Sequence, residues 1–337
     1  MYTDKNTLTN PTNIKEQLKV LKCRIKINFK EFIYFIFIII FVSLLSNLLL
    51  TFNRHKEEIN NKNIANLIDL NRGKNKIFCS YTKSKLKNRS QPFEYRKELS
   101  FITDLILCNI PFSFIRFADG ENSIMRGEEL KGIDNWHWET NNKKFRQKLI
   151  ESASICINNN SFIGIPCKNW FRISESILSF SNCTSAKYFS YSTIFTNNNF
   201  KSFKDWIIRY INSSNRRKII LIANSIINKN ISWAYKFFPI ADNLVDNWDN
   251  IGLSLLSKIS KIANHKNLIF FISAGPAANI IISYLVKINN KNIYIDFGSS
   301  IEFITKGYST RFYSEKDNFS KKSCETFILK DKKIIYQ

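Results

Sequence analysis

Phe112-Ser113-Phe114-Ile115-Arg116-Phe117-Ala118-Asp119-Gly120-Glu121 decides how the chain is read. Phe112 to Phe117 is a short apolar run rich in β-forming residues. It stops at Ala118-Asp119-Gly120-Glu121, and a polar segment follows. The pattern predicts a strand that ends in a tight turn, with two carboxylates just past its C-terminal end. In open α/β sheets the ligand crevice lies outside the C-terminal ends of the strands. Two hard oxygen donors with one glycine between them suit a divalent cation such as Mg²⁺ or Mn²⁺, which favours carboxylates plus phosphate oxygens. Gly120 would let the backbone turn so that both side chains face one point. The same letters also spell an ordinary solvated Asp-Gly turn.

Working outward, apolar runs and helical patterns alternate. Leu99, Ile102, Leu105 and Ile106 recur at helical spacing before the first strand. After it come an amphipathic helix (Phe145, Leu149, Ile150, Ala153, Ile157) and a short strand, Phe162–Ile165, stopped by Pro166. A further strand is expected within Tyr188–Phe195, then a helix through Phe203, Ile207, Ile208 and Ile211. Lys218–Ala223 reads as a buried strand, Ile251 to Ile262 as a helical stripe, Leu268–Ile272 as a second buried strand. Ala277–Val286 reads as its helix, and Ile293–Phe297 as a third strand. Continuous apolar strands alternating with helices imply an α/β fold: a Rossmann-like, mostly parallel sheet with helices on both faces. Thr326–Leu329 and Ile334–Tyr336 read as a terminal edge hairpin.

The N-terminal part reads differently. Residues 1–31 are polar and basic. Phe32 to Phe52 gives 21 residues without a charge, enough to span a hydrocarbon core of about 30 Å as a helix. Lys15, Lys19, Lys22, Arg24, Lys26 and Lys30 precede this run, against Arg54, Lys56 and Lys62 at a similar distance after it. The excess of cations predicts a cytosolic N-terminus. The expected organisation is a cytosolic tail (1–31), a single transmembrane helix (32–52), a stem (53–91) and a globular domain (92–337) that Pro92 opens: a single-pass type II membrane protein. Its domain faces the Golgi or ER lumen in a eukaryote, and lies outside a cell or viral membrane otherwise.

The formal net charge is +23. Such a balance favours polyanions: nucleotide phosphates, acidic lipid head groups or nucleic acid. Lys, Asn and Ile are abundant together, as an AT-rich genome would produce. No basic run is interleaved with aromatics and no nucleic-acid motif is present, so no nucleic-acid partner is expected. Seven cysteines occur without a Cys-x-x-Cys pair, and three histidines are scattered, which argues against a zinc site. Six of the cysteines lie beyond the apolar run and are free to pair, in a connectivity the sequence does not give.

Arg116-Phe117-Ala118-Asp119-Gly120-Glu121 resembles the Arg-Phe-Gly-Asp-Gly-Glu opening of the GT-D-type glycosyltransferases. Ser273-Ala274-Gly275-Pro276-Ala277-Ala278 is similar to that family's Gly-Pro-Thr-Ala turn, and Ile295-Asp296-Phe297-Gly298-Ser299 to its Ile-Asp-Ile-Gly-His. The matches occur in the family's order and bracket roughly residues 95–313. Ala118 stands for the first glycine of the opening, Ser299 for the histidine, and Ala223-Asn224-Ser225 for a central Gly-Glu-x-x-Arg segment. The resemblance implies a Rossmann-like fold and transfer of a sugar from a nucleotide-sugar donor, here UDP-linked, to a glycan, glycoprotein or glycolipid. It implies Mn²⁺, or Mg²⁺, on Asp119 and Glu121, bridging the donor diphosphate.

Arg116 would then contact phosphate or pair with a carboxylate. Gly275-Pro276 turns a buried strand into a helix, whose first N–H groups can receive a phosphate; a plain strand–helix turn has the same letters. Asp296 and Glu302 are candidates for a general base toward the acceptor hydroxyl, or for orienting a sugar hydroxyl. Arg311 and Tyr313 are candidates for phosphate and base contacts. Asp242, Asp246 and Asp249 beside Trp248, and Trp136-His137-Trp138, could bind sugar or simply shape loop and core. Two other functions fit the same residues: a metal-dependent phosphoesterase, and a membrane-anchored binding or scaffold protein without activity.

Overall fold

The computed structural model describes residues 32–34, 40–46, 72–133, 136–140, 142–155, 160–168, 171–183, 185–213, 216–224, 231–241, 244–308, 324–330 and 333–336. The chain forms two compact units, Met1–Asp69 and Leu70–Gln337. In the first, residues 32–34 and 40–46 are helical and exposed. The rest of the apolar run at 32–52 lies outside the described residues, as do the tail and residues 53–71 of the stem. Among the described residues no helix is long and apolar enough to cross a membrane.

The second unit begins with α1 (Arg72–Lys87), α2 (Tyr95–Leu107), β1 (Phe112–Arg116), α3 (Asp119–Arg126), β2 (Leu130–Ile133), β3 (Trp136–Trp138) and α4 (Lys143–Ser152). There follow β4 (Ser161–Ile165), α5 (Phe171–Phe180), β5 (Phe189–Tyr191), α6 (Phe200–Asn212), β6 (Lys218–Asn224) and β7 (Lys236–Ile240). The unit ends with α7 (Leu253–Ala263), β8 (Leu268–Ile272), α8 (Ala277–Ile288), β9 (Ile293–Asp296), α9 (Glu302–Thr305), β10 (Phe327–Lys330) and β11 (Lys333–Tyr336).

Seven strands form one sheet in the order β5-β4-β1-β9-β8-β6-β7, and every pairing in it is parallel. A strand covered on both faces can be apolar at every position, as the wholly buried Leu268-Ile269-Phe270-Phe271-Ile272 of β8 is. From β1 the chain steps to β4 and β5 on one side, crosses to β6 and β7 on the other, and returns through β8 to β9 beside β1. β1 and β9, the first and last strands of this sheet, thus lie side by side near its middle, with their C-terminal ends together.

Right-handed crossovers place the helices. Those that step toward β5 put α3, α4, α5, α7 and α8 on one face, where α8 packs on β1 and β9 and against α4 and α7. The single long return, through α6, lies on the other face with α2. There Phe101 of α2 meets Phe162, Phe114 meets Phe195, and Phe195 meets Phe203 of α6 at ring separations of 6.2, 5.5 and 5.0 Å.

Several expectations change in detail. Tyr188–Phe195 yields only a three-residue strand, and Ser192 to Thr196 turn away into α6. β7 was not apparent from sequence; its Pro239 is tolerable because β7 is an edge strand. β10 and β11 pair antiparallel with each other and form a separate sheet. The hairpin still packs on the main sheet: the rings of Phe327 and Tyr191 lie 5.0 Å apart. Trp138 and Trp248 are fully buried, Trp248 against Phe145; both serve the core. Arg311, Tyr313 and Asp242 lie outside the described residues.

Residues within the predicted stem contribute to this unit. α1 packs on α2, and a disulfide joins Cys79 to Cys108. Arg89 forms two 2.7 Å hydrogen bonds with the Glu98 carboxylate and donates to the carbonyls of Lys187 and Phe189, so it ties α2 to the edge of the sheet. Gln91 exchanges two side-chain hydrogen bonds with the Leu329 backbone, at 3.1 and 3.0 Å. A second disulfide joins Cys167, after β4, to Cys324, before β10, and Cys183 is also disulfide-bonded.

Breaking a buried ion pair from one side strands the other charge, which costs roughly 3–5 kcal/mol. Arg89→Ala and Glu98→Ala should each destabilise the chain by that order in denaturant titrations. A double variant that costs much less than the sum would confirm the coupling. Burial pushes the Asp104 carboxyl up to about 7, against the pull of Lys85. The native state therefore holds this proton more tightly than the unfolded chain does. Stability from this group falls as pH rises from about 4, its unfolded value, through 7. Thermal melts should show Asp104→Asn gaining more over wild type at pH 8 than at pH 5; an equal gain would remove Asp104 as the source.

Candidate functional site

The candidate site is built from two adjacent strand ends and the helices around them. Arg116 is the last residue of β1 and Asp296 the last of β9. The Arg116 Nε lies 3.2 Å from an Asp296 oxygen, and its Nη1 donates to the Ser192 carbonyl at 3.2 Å. Arg116 thus pairs with a carboxylate. The other Asp296 oxygen accepts the Gly298 N–H at 2.8 Å.

Two glycines make room for this arrangement. Gly298 has φ +51°, and a Cβ there would lie 1.8 Å from Arg116 Nη2. The guanidinium therefore rests directly on the Gly298 backbone. Gly164 pairs in register with Arg116, and a Cβ on it would lie 2.9 Å from Ser192 Cα. A bare backbone at 164 lets the Ser192 turn close on β4 and bring its carbonyl to Arg116. From the other face, Asn279 in the first turn of α8 donates to the Arg116 carbonyl at 2.8 Å.

Asp119-Gly120-Glu121 is the first turn of α3 rather than a loop. Ala118 supplies no capping side chain. The Glu121 carboxylate does part of that work, accepting the Ala118 N–H at 2.9 Å. Two acids in the first turn also suit the positive end of the helix. Asp119 is exposed, and Glu121 is partly buried. Burial pushes the Glu121 carboxyl up to about 7; hydrogen bonds from its own and the Ala118 N–H oppose this, the Asp296 charge adds to it, and Arg116 opposes it. Asp296 is likewise raised by burial and held down by Arg116 and the Gly298 N–H. Arg116, Glu121 and Asp296 thus form one electrostatic unit.

Gly275 has φ +52° and, with Pro276, turns β8 into α8. Glu302 opens α9 nearly buried, and Lys306 Nζ lies 2.9 Å from its carboxylate. Two buried side-chain oxygens, Asn122 Oδ1 on α3 and Asn279 Oδ1 on α8, have no hydrogen-bond partner among the described residues. An acceptor without a donor suits a hydroxyl or a water. Ser192, Gly164 and Asn279 were not singled out from sequence. The first acts through its backbone and the second through an absent side chain, so neither carries a local signal. Asn279, three residues past Pro276, was the readable one.

No family model and no curated protein matches the chain. Two solved structures are similar to it. One is described as the highly conserved domain of unknown function 1792, with a distinct glycosyltransferase fold. It matches with TM-score 0.45 and 17% identity over 66% of this chain and 84% of that one. The other is a selenomethionine-substituted structure of domain of unknown function 1792, with TM-score 0.45 and 14% identity over 75% of this chain and 96% of that one.

Among the described residues no group of three or more His, Cys, Asp or Glu side chains could hold a metal. The donor set offered is the Asp119 and Glu121 pair. Two carboxylate donors fit a hard cation of the Mg²⁺ type, which keeps waters and substrate phosphate oxygens as its other ligands.

Gly298→Ala should force the guanidinium off Asp296 and add left-handed strain of about 1 kcal/mol. With the lost pairing, the expected total is on the order of 3 kcal/mol. In an Arg116→Ala background the same change should cost little more than the strain. Equal costs in both backgrounds, read from chemical denaturation, would show that Gly298 does not serve Arg116.

Proposed function

We propose that the chain is a metal-assisted glycosyltransferase. It moves a sugar from a nucleotide-sugar donor, UDP-linked, to a hydroxyl of a glycan, glycoprotein or glycolipid. It acts from a single-pass type II anchor at 32–52, with its domain translocated. One observation carries the reading. Arg116 and Asp296, 180 positions apart and each inside a motif of the GT-D-type pattern, meet at the C-terminal ends of the adjacent strands β1 and β9, together with Glu121. That is where an open α/β sheet binds its ligand.

Within this reading Asp119 and Glu121 hold Mn²⁺ or Mg²⁺. The bound cation offsets charge that develops on the leaving diphosphate. The start of α8, after Gly275, offers N–H groups to a phosphate. Arg311 and Tyr313 contact phosphate and base. Asp296 already engages Arg116 and the Gly298 N–H through its two oxygens, which suits orienting a sugar hydroxyl better than taking a proton. Glu302 is the alternative base. The Asn122 and Asn279 oxygens are acceptors for hydroxyl donors on the ligand or for bound water.

The test uses the full-length chain in detergent. UDP, GDP and their common sugar conjugates are titrated by calorimetry with and without Mn²⁺, and transfer is assayed on an acceptor panel. Metal-dependent binding of one nucleotide is expected. Asp119→Asn with Glu121→Gln should cut transfer by roughly 10²-fold or more with the melting curve kept. Full transfer in that double variant would overturn the metal assignment. Phosphate release without an acceptor would replace the transferase with a phosphoesterase. No nucleotide affinity in a folded chain would leave a binding protein.

A further inference from the structure

The first helix of the second unit carries a surface that the site does not use. From Leu70 to Phe93 the chain has seven cations, Arg72, Lys74, Lys76, Lys83, Lys85, Lys87 and Arg89, and no Asp or Glu. α1 makes up most of this stretch. One of its faces is fixed: Cys79 is bonded to Cys108, Thr82 is buried, and Lys85 lies 4.9 Å over the Phe93 ring. The opposite face is open. Ile77 is 76% exposed and Tyr81 64%. They sit one turn apart, so they adjoin on the surface. Ser84 and Asn88 continue the same row, flanked by exposed Lys76, Lys83 and Lys87.

Beside Tyr81 lies an open groove of about 470 Å³, lined by Ser84, Lys85, Asn88 and neighbouring residues, none of them acidic. Lys85 also acts on the Asp104 carboxylate of α2. An exposed isoleucine and tyrosine beside a row of exposed lysines suit a helix face that meets a membrane interface. The rings and aliphatic carbons enter the head-group boundary, and the ammonium groups meet anionic lipid. The groove can take a lipid head group next to that contact. The charge of the patch sets the partner: a neutral surface gives the exposed Lys76, Lys83 and Lys87 nothing to neutralise.

We propose that α1 docks on the surface of an anionic membrane, with Ile77 and Tyr81 inserted and Lys76, Lys83 and Lys87 on the head groups. The inference rests on the membrane-anchor reading for residues 32–52, and is independent of the transferase reading.

The test places the full-length chain in lipid nanodiscs, either phosphatidylcholine alone or an equal mixture with phosphatidylglycerol. Ile77, Tyr81 and, as a control, the exposed Tyr235 are each replaced by the photo-crosslinking residue p-benzoylphenylalanine. Lipid adducts are counted by mass spectrometry after irradiation. Positions 77 and 81 should give at least tenfold more lipid adduct than 235 in the mixed discs. The yield should fall several-fold in phosphatidylcholine discs, and likewise when Lys76→Glu, Lys83→Glu and Lys87→Glu are combined. Equal adducts at 235, yields indifferent to anionic lipid, or adducts to protein in place of lipid would each overturn the docking. A chain that does not enter the discs would overturn the anchor and this inference with it. A chain that enters them without adducts at 77 and 81 overturns the docking alone.

Discussion

Arg116 and Asp296 are opposite charges held together at the end of a sheet whose central strands are mostly apolar. A buried pair of this kind is tolerable only when the remaining hydrogen-bonding capacity is met as well. The surroundings meet it from several directions. The Ser192 carbonyl takes one guanidinium N–H, the Gly298 N–H takes the second carboxylate oxygen, and Asn279 fixes the Arg116 backbone from behind. Each of these demands something of the fold. β5 must end where it does, β9 must lie beside β1, and α8 must start at Pro276. The bare backbones at 164 and 298 are set by the same requirement, since a side chain at either would take space that the pair or its partners occupy.

Glu121 extends this unit onto α3. Its carboxylate closes the helix start that Ala118 leaves uncapped, and it feels the field of Asp296 and Arg116. One side chain therefore links a helix terminus to the charged strand ends. Glu121 is thus neither a free surface acid nor a silent structural one. Asp119 stands in solvent two residues away. The difference in environment between two acids of one motif is the feature most open to a ligand's influence.

Much of the sheet was legible because its strands are buried on both faces and carry unbroken apolar runs. β1, β4, β6, β8 and β9 all read this way. β7 did not, since Lys236-Phe237-Phe238-Pro239-Ile240 belongs to an edge and follows edge rules. The first turn of α3 was misread as a loop because Ala118 lacks the oxygen that usually announces a helix start, although Glu121 sits where a capping-box acid sits. The partnership of Arg116 with Asp296 was present as one of two alternatives. Strand order decides it, and strand order is a long-range property that no local pattern states. The glycine at 298 was visible, but its reason, a guanidinium from a distant strand, was not.

The Cys167–Cys324 bond closes a covalent ring through 157 positions of the chain. β5, β6, β7, β8 and β9 lie within the ring, while β1 and β4 precede it. The Arg116–Asp296 pair therefore joins a strand outside the ring to one inside it. A single backbone break anywhere in the ring would leave both pieces tethered, at the high effective concentration that a short covalent connection gives. The two halves of the site need not part when the chain between them is cut. A protease acting on the closed loops would nick the molecule without dismantling it.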